Sequence, residues 1–279
     1  MNARSTSRLR ALSSLGEFWR SPQSWGVRVA AVIAVFALPV LATGPKIKGR
    51  VANFEYLLNP VWEEAKDPDK KLYSFREIVP TVPAKHRALY PHIPKELCIA
   101  ALSDQKQPVP RMATLIRVGG GRTTPVTIVV TPETRLRFKN TDPFPHRLYG
   151  MGQSTLTPND TIKGGARDWT VPSAGTFEIR DELAPSLRMW IVAEPNVATI
   201  AYPSMSGEFA LRPEVAGTYT VQAYFAGKKV GPPVLVDATA GRDIDISKDA
   251  IKVAEPSAKR EEKKEEAEKA AEPKAEEAK

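Results

Sequence analysis

Short runs in which apolar and polar residues alternate dominate the middle of this 279-residue chain and restrict it to a β fold. In the run 135–139, for example, Leu136 and Phe138 fall on one face. The same alternation places further apolar residues on one side of their strands: Phe177, Ile179, Tyr219, Val221, Ala223 and Phe225. Turn-forming residues separate the runs, and helical periodicity is almost absent between them. The pattern predicts an all-β, antiparallel sandwich between about residues 46 and 245.

Other segments depart from this alternation. The runs 126–130, 187–193 and 234–236 are continuously apolar, which is typical of strands in the centre of a sheet. The stretch 52–100 is interrupted by prolines and is expected to be a long insertion with one short helix near Glu63.

The charge distribution excludes the usual footprint of a nucleic-acid-binding protein. The chain has 40 Lys+Arg and 32 Asp+Glu, a formal charge of +8. Residues 1–28 hold five of the arginines and a single glutamate, and no basic run with interleaved aromatic residues occurs elsewhere. The one cysteine, Cys98, excludes an intramolecular disulfide and any cysteine-rich metal site. We therefore expect no nucleic-acid partner.

The N-terminus predicts export. Residues 29–42 form an uncharged apolar run behind the arginines, the length of a signal-peptide core and shorter than a typical spanning helix. Residues 1–28 are then a basic cytoplasmic n-region, and 29–44 either a cleaved signal peptide or a membrane anchor through 25–42. In both cases the remaining chain is exported, as a periplasmic protein or anchored to the inner membrane facing the periplasm.

The C-terminal segment 246–279 is charged and of low complexity, with no large apolar residue after Glu255. A helix without an apolar face has nothing to dock, so we expect a solvated, partly helical tail. It serves either as a spacer or as an electrostatic contact with a partner.

The segment 112–196 resembles the cupredoxin (blue-copper) family. A strand ending at Asn140 leads through a Phe-Pro-His corner at 144–146, and Gly175-Thr176-Phe177 resembles the strand that precedes the family's Cys-x2-His-x2-Met loop. The resemblance implies a Greek-key sandwich and a copper ion held by one thiolate, two imidazoles and a weak thioether.

Most of the ligands that this resemblance implies are missing. It places Asp181 at the cysteine position, Ala184 at the second histidine and Leu187 at the methionine, so that only His146 remains. A type 1 copper site is therefore not expected. Copper bound through His146 stays open as an alternative.

The corner leaves two interpretations of its polar residues. In the first, His146 and Asp181 form a weak metal site, to which Glu182 or a partner contributes. In the second, His146 is hydrogen-bonded within the corner and Asp181 pairs with Arg180 or Arg188.

A binding surface is predicted at the same end of the sandwich. The cupredoxin resemblance implies partner docking around Phe144 and His146. Trp190 is out of phase with its buried neighbours Met189 and Ile191, so it would contribute an aromatic face.

The segments 45–111 and 197–245 resemble a second family, the carboxypeptidase-regulatory-like (transthyretin-type) modules. Ile47-Lys48-Gly49-Arg50-Val51 matches their opening and 207–221 their closing hairpin, so that 197–245 would pair with 45–60. Two accounts stay open: a cupredoxin-like unit inserted into a regulatory-like module, or a single enlarged sandwich.

No enzymatic motif is present in the sequence. There is no Gly-x-Ser-x-Gly, and Gly119-Gly120-Gly121 lacks the Lys-Ser/Thr ending of a phosphate loop and is expected to be a turn. We therefore expect a non-enzymatic, exported β-sandwich that binds or scaffolds envelope proteins without a bound cofactor. The alternative is a periplasmic metal carrier, for copper, that uses His146.

Overall fold

The computed structural model describes residues 44–61, 90–152 and 154–255. The predictions for the n-region, the apolar run 29–42, the helix near Glu63 and the part of the charged tail after residue 255 lie outside these residues. The predicted start of the tail at residue 246 is wrong, because Ile246, Ile251 and Val253 are buried in an apolar core. None of the described helices is long and apolar enough to cross a membrane.

The described residues form strands in the following chain order: β1 (Ile47–Ala52), β2 (Leu97–Ser103), β3 (Thr114–Gly119), β4 (Arg122–Thr124), β5 (Thr127–Val130), β6 (Arg135–Asn140), β7 (Leu148–Gly150), β8 (Ala166–Thr170), β9 (Gly175–Asp181), β10 (Arg188–Ala193), β11 (Val197–Ala201), β12 (Glu208–Leu211), β13 (Thr218–Phe225), β14 (Lys228–Asp237), β15 (Ile244–Asp245) and β16 (Ile251–Lys252). One short helix, α1 (Ile93–Glu96), precedes β2, and 3-10 turns cover Phe54–Tyr56 and Ser247–Asp249.

Strands β3 to β10 form one sandwich, called here the nested sandwich. Its two sheets have the orders β4-β3-β6-β8 and β5-β10-β9-β7. Their facing side chains share one core, which includes the alternating residues predicted to be buried: Leu136, Phe138, Phe177 and Ile179. The predicted all-β sandwich is confirmed. It is not purely antiparallel, because β3 pairs with β6, and β5 with β10, in parallel.

The remaining strands form a second sandwich, called here the flanking sandwich, which the nested one interrupts in the chain. Its sheets have the orders β12-β1-β15, with β16 also on β1, and β11-β2-β13-β14. Strand β1 pairs with β12 antiparallel, the pairing predicted between 45–60 and 197–245. A separate core fills this sandwich, including Tyr219, Val221, Ala223 and Phe225. Its assignment to the transthyretin type stays a prediction.

A third apolar cluster joins the two sandwiches. It contains Cys98 and Tyr224 from the flanking sandwich and Val129 and Val192 from the nested one. The Tyr224 hydroxyl donates to the Glu194 carboxylate at 3.2 Å. The cluster explains why every residue of β5 is buried although β5 lies at a sheet edge.

The expectation that 126–130 and 234–236 are central strands is wrong. Of the three apolar runs, only 187–193 forms a central strand, β10. Both β5 and β14 lie at the edges of their sheets. The apolar run of β5 is instead explained by its cover from the flanking sandwich. In β14 burial alternates along the run, since Val236 is 2% exposed and lies in the core of the flanking sandwich while Leu235 is 73% exposed.

Candidate functional site

The candidate site lies in the corner between β6 and β7. Asn140, the last residue of β6, closes the corner with its side chain: Nδ2 donates to the Phe144 carbonyl at 2.8 Å and to the Thr161 carbonyl at 2.7 Å. Its Oδ1 accepts the Asp142 amide at 2.8 Å. His146 is then fixed by two backbone hydrogen bonds with Thr161. The corner therefore presents His146 in one orientation.

Both ring nitrogens of His146 face carboxylates. Nδ1 lies 2.5 Å from Asp181 Oδ2, and Nε2 lies 3.0 Å from Asp142 Oδ2. The imidazole is completely buried, and Asp181 is 2% exposed. An ionised carboxylate only accepts hydrogen bonds, so the nitrogens act as donors wherever the facing carboxylate is ionised. The three side chains form one buried network, called here the Asp-His-Asp network.

Asp142 connects this network to the β3–β4 turn. Its Oδ1 accepts the Gly120 amide at 2.7 Å and its Oδ2 the Gly121 amide at 3.1 Å. Both glycines have φ near +65°, the conformation that a two-residue turn of this kind requires. These amides, and then His146, hold the pKa of Asp142 below its ordinary value although partial burial opposes the shift.

Asp181 connects the network to the loop between β9 and β10. Its Oδ1 accepts the backbone amides of Arg147 at 3.1 Å, Leu183 at 2.7 Å and Ala184 at 3.2 Å. The expected partners Arg180 and Arg188 both contact Glu178 instead. The Asp181 carboxylate thus holds the first residues of this loop by accepting hydrogen bonds from their backbone amides.

The residues at the positions implied by the cupredoxin resemblance do not fit a type 1 copper set. Asp181 provides no thiolate, Ala184 provides no donor, and the Leu187 side chain is fully buried in the core of the nested sandwich. Glu182 contacts Arg147 at 3.3 Å. Among the described residues, no group of three or more His, Cys, Asp or Glu is arranged to hold a metal ion.

Cys98 cannot take the place of the missing thiolate. It is completely buried in the cluster between the sandwiches, in a strand outside the nested sandwich. Burial raises the pKa of its thiol to about 12, and hydrogen bonds with Val129 and Tyr202 offset only part of this shift. The thiol is therefore protonated at neutral pH.

The predicted binding surface is partly corrected. Phe144 is 44% exposed and stacks at a tilt on His146, with ring centroids 5.1 Å apart. His146 itself is buried, which corrects the expectation that its imidazole lies on the surface. Leu183 is 46% exposed and belongs to the loop held by Asp181. Phe144 and Leu183 are thus exposed apolar side chains on two loops that the Asp-His-Asp network joins.

Trp190 does not form a free aromatic face. It is half-buried, and a Cβ built on Gly227 would lie 3.1 Å from its Cδ1, so the β13–β14 turn of the flanking sandwich covers it closely. Trp190 points away from the nested core, as its phase along β10 predicts. The flanking sandwich lies on that side, and the local strand pattern gives no signal for it.

A cleft of about 810 Å³ lies between the two sandwiches. Its lining includes buried residues of β5, Ile128 and Val129, and the half-buried Ile200 of β11. The loop 103–110 and the exposed Val215 form parts of its rim. It provides a concave surface with an apolar floor, away from the Asp-His-Asp network.

Asp142 was not predicted as a site residue. A signal was present, since Asp142 follows the strand-ending Asn140 by two residues and precedes His146 by four. Asx residues at such offsets commonly bond to nearby backbone amides. The contact with Gly120 and Gly121, more than twenty residues away, had no local signal.

Asp142→Asn is expected to lower the free energy of unfolding at neutral pH by about 1–3 kcal/mol. One amide oxygen would replace two oxygens that accept three N–H groups. Because the pKa of Asp142 is depressed, its contribution is complete above the ordinary value of 3.8 and is lost as pH falls through the depressed value. Urea unfolding at neutral and at acidic pH measures this. An equal difference between wild type and variant at both pH values would contradict it.

No protein-family model and no curated protein sequence matches the chain. Among solved structures, it is similar to amicyanin from Paracoccus versutus, with 15% identity over 34% of this chain and 97% of that one, at a TM-score of 0.28. It is also similar to a purple cupredoxin from Nitrosopumilus maritimus, with 14% identity over 29% of this chain and 99% of that one, at 0.27. A copper-containing nitrite reductase from Thermus scotoductus matches with 16% identity over 32% of this chain and 25% of that one, at 0.27.

Proposed function

We propose that the protein is a non-enzymatic binding or scaffolding module of a bacterial-type cell envelope, whose nested sandwich has no functional copper site. The observation that carries this proposal is the Asp-His-Asp network. Both nitrogens of His146 are occupied, and every oxygen of Asp142 and Asp181 accepts at least one hydrogen bond. Such a network is complete without a metal ion, so its role is to hold loops in place.

The loops that the network holds carry the proposed binding surface. Phe144 and Leu183 expose about half of their side chains, and each is anchored within two residues of a network member. A rigid scaffold under exposed apolar side chains is what an interface needs. We propose that an envelope protein docks here, and that the exported location and any anchoring follow from the apolar run 29–42.

A copper titration tests the first part of the proposal. Adding Cu(II) to the purified protein is expected to produce no intense visible absorbance, since a blue site needs a coordinated thiolate. Cys98→Ser serves as the control for adventitious thiol binding. A stoichiometric coloured complex that is lost in His146→Gln would reject the proposal in favour of the metal carrier.

A crosslinking experiment tests the second part. Photo-crosslinking groups at positions 144 and 183 are expected to capture one envelope protein in intact cells. The matched controls are positions 205 and 235, where Met205 and Leu235 are exposed to a greater extent. Equal capture at all four positions, or none at the first two, would contradict the proposed surface. Repeating it with a chain ending at residue 255 tests whether the tail contributes.

A further inference from the structure

Five basic side chains converge on one face of the nested sandwich. They occupy the solvent side of the sheet β4-β3-β6-β8, and we call this surface the basic face: Arg117, Arg122, Arg135, Arg137 and Lys139. In each of the three strands these residues alternate with buried ones, so their side chains point away from the core. All except the half-buried Lys139 are exposed.

The strand registers bring these residues side by side. Arg117 is opposite Lys139 in the parallel pair β3–β6, and Arg137 lies between Leu115 and Asp168. Neighbouring strands are separated by about 4.8 Å, so the cations form a continuous patch across the sheet. No basic run is visible in the sequence because strand alternation distributes these residues over positions 117–139.

The basic face is poorly neutralised. Asp168 is the one acid among its outward strand residues, and it pairs with Arg137 at 2.6 Å. Lys139 donates to the Gly164 carbonyl. In the described part of the chain, Arg117, Arg122 and Arg135 have no hydrogen-bonded carboxylate. Arg135 also stabilises the charge of Asp168 without a hydrogen bond, so one carboxylate serves both Arg135 and Arg137. Arg117, Arg122 and the incompletely neutralised Arg135 are thus left to bind an external anion.

Exposed aliphatic side chains accompany these cations. Leu115 lies on the face itself and is 50% exposed, Met112 just before β3 is 82% exposed, and Ile162 beside the Gly164 turn is 69% exposed. The outward residues of the four strands include no aromatic side chain. Proteins that bind single-stranded nucleic acid stack bases on aromatic residues, so this composition disfavours such a partner.

We propose that the basic face docks on an anionic phospholipid bilayer. Its arginines would contact lipid phosphates, and its aliphatic side chains would enter the boundary between headgroups and acyl chains. An open sheet face with distributed cations matches an extended charged surface. This membrane contact is separate from the protein-binding surface at Phe144 and Leu183 and does not depend on it.

Vesicle sedimentation with the full chain tests this proposal. The vesicles are phosphatidylcholine with or without a minor fraction of phosphatidylglycerol. Wild-type protein is expected to prefer the anionic vesicles, and the preference should fall as salt rises. The variant Arg117→Gln/Arg122→Gln/Arg135→Gln should lose roughly 100-fold of this preference, since each basic residue contributes about fivefold. Any binding through the apolar run 29–42 is common to all variants.

The matched control removes the same charge from other surfaces. Arg212→Gln/Arg242→Gln/Lys252→Gln changes three exposed cations outside the nested sandwich and should alter the preference less than roughly threefold. Equal losses in both variants, or a wild type that does not distinguish the vesicles, would overturn the proposal. So would binding of double-stranded DNA through the same three arginines without vesicle binding. Circular dichroism melts establish that both variants are folded.

Discussion

His146→Ala should lower the free energy of unfolding by about 3–5 kcal/mol, since it removes a completely buried side chain and leaves buried hydrogen-bonding groups without a partner. The substitution leaves Asp181 and Asp142 without the donor that lies between them, and Asp181 is buried. Asp160→Ala is the matched control, because Asp160 pairs with Arg147 at 2.6 Å on the same corner but both are exposed. It should cost far less than His146→Ala, because solvent screens an exposed pair. Urea unfolding of the three proteins measures both values.

A double-mutant cycle shows whether the histidine acts through its carboxylate partner. Asp181→Ala alone should also destabilise strongly, since it orphans the amides of Leu183 and Ala184 as well as the imidazole. The double variant should cost less than the sum of the single ones by about 1–3 kcal/mol, as expected for residues in one network. Additive costs would contradict the Asp-His-Asp network.

Tyr224→Ala should lower the free energy of unfolding by about 3–5 kcal/mol, the usual cost of a large aromatic side chain in a core. Tyr224 is completely buried in the cluster between the sandwiches, beside Cys98, Val129 and Val192. The loss of stability should affect both sandwiches, because the cavity left by the tyrosine side chain would lie between them.

Two controls separate the packing of Tyr224 from its hydrogen bond. Tyr224→Phe removes only the contact with Glu194 and should cost about 0.5–1.5 kcal/mol. Tyr90→Ala changes a tyrosine that is 52% exposed and should stay within about 0.5 kcal/mol. A Tyr224→Ala variant as stable as Tyr90→Ala would show that the cluster does not join the sandwiches.

The local pattern of alternation was sufficient to predict two strands of the nested sandwich, β6 and β9. Leu136, Phe138, Phe177 and Ile179 alternate with polar residues, and all four lie in its core. Alternation indicates which face of a strand is buried, and a few consecutive residues of the strand are enough to show it. The continuously apolar runs of β5 and β14 were wrongly expected to form central strands, because a strand's position in its sheet depends on non-local pairing.

In the candidate site, too, some residues were predicted from the sequence, and those that depend on distant contacts were not. The resemblance placed His146 and Asp181 in one corner, and their side chains lie 2.5 Å apart. It did not include Asp142, whose carboxylate role depends on the distant Gly120-Gly121 turn. The surface around Trp190 was also mispredicted, since its cover comes from a hairpin turn more than thirty residues along the chain.

The basic face is a further property that no linear scan detects. Arg117 and Lys139 are far apart in sequence and adjacent in the sheet. Their convergence follows from the parallel register of β3 and β6, which short-range patterns do not specify.

The most direct test of the account is whether the His146 nitrogens are available to a metal ion. Long-range 15N–1H correlation spectra report the chemical shift of each histidine ring nitrogen. The chain has three histidines, so His86→Gln and His92→Gln variants identify the signals of His146. With Zn(II) or Cu(I) added, the His146 signals should stay unchanged, because Asp142 and Asp181 occupy both nitrogens. A His146 nitrogen that shifts to a metal-bound position at stoichiometric metal would contradict the account.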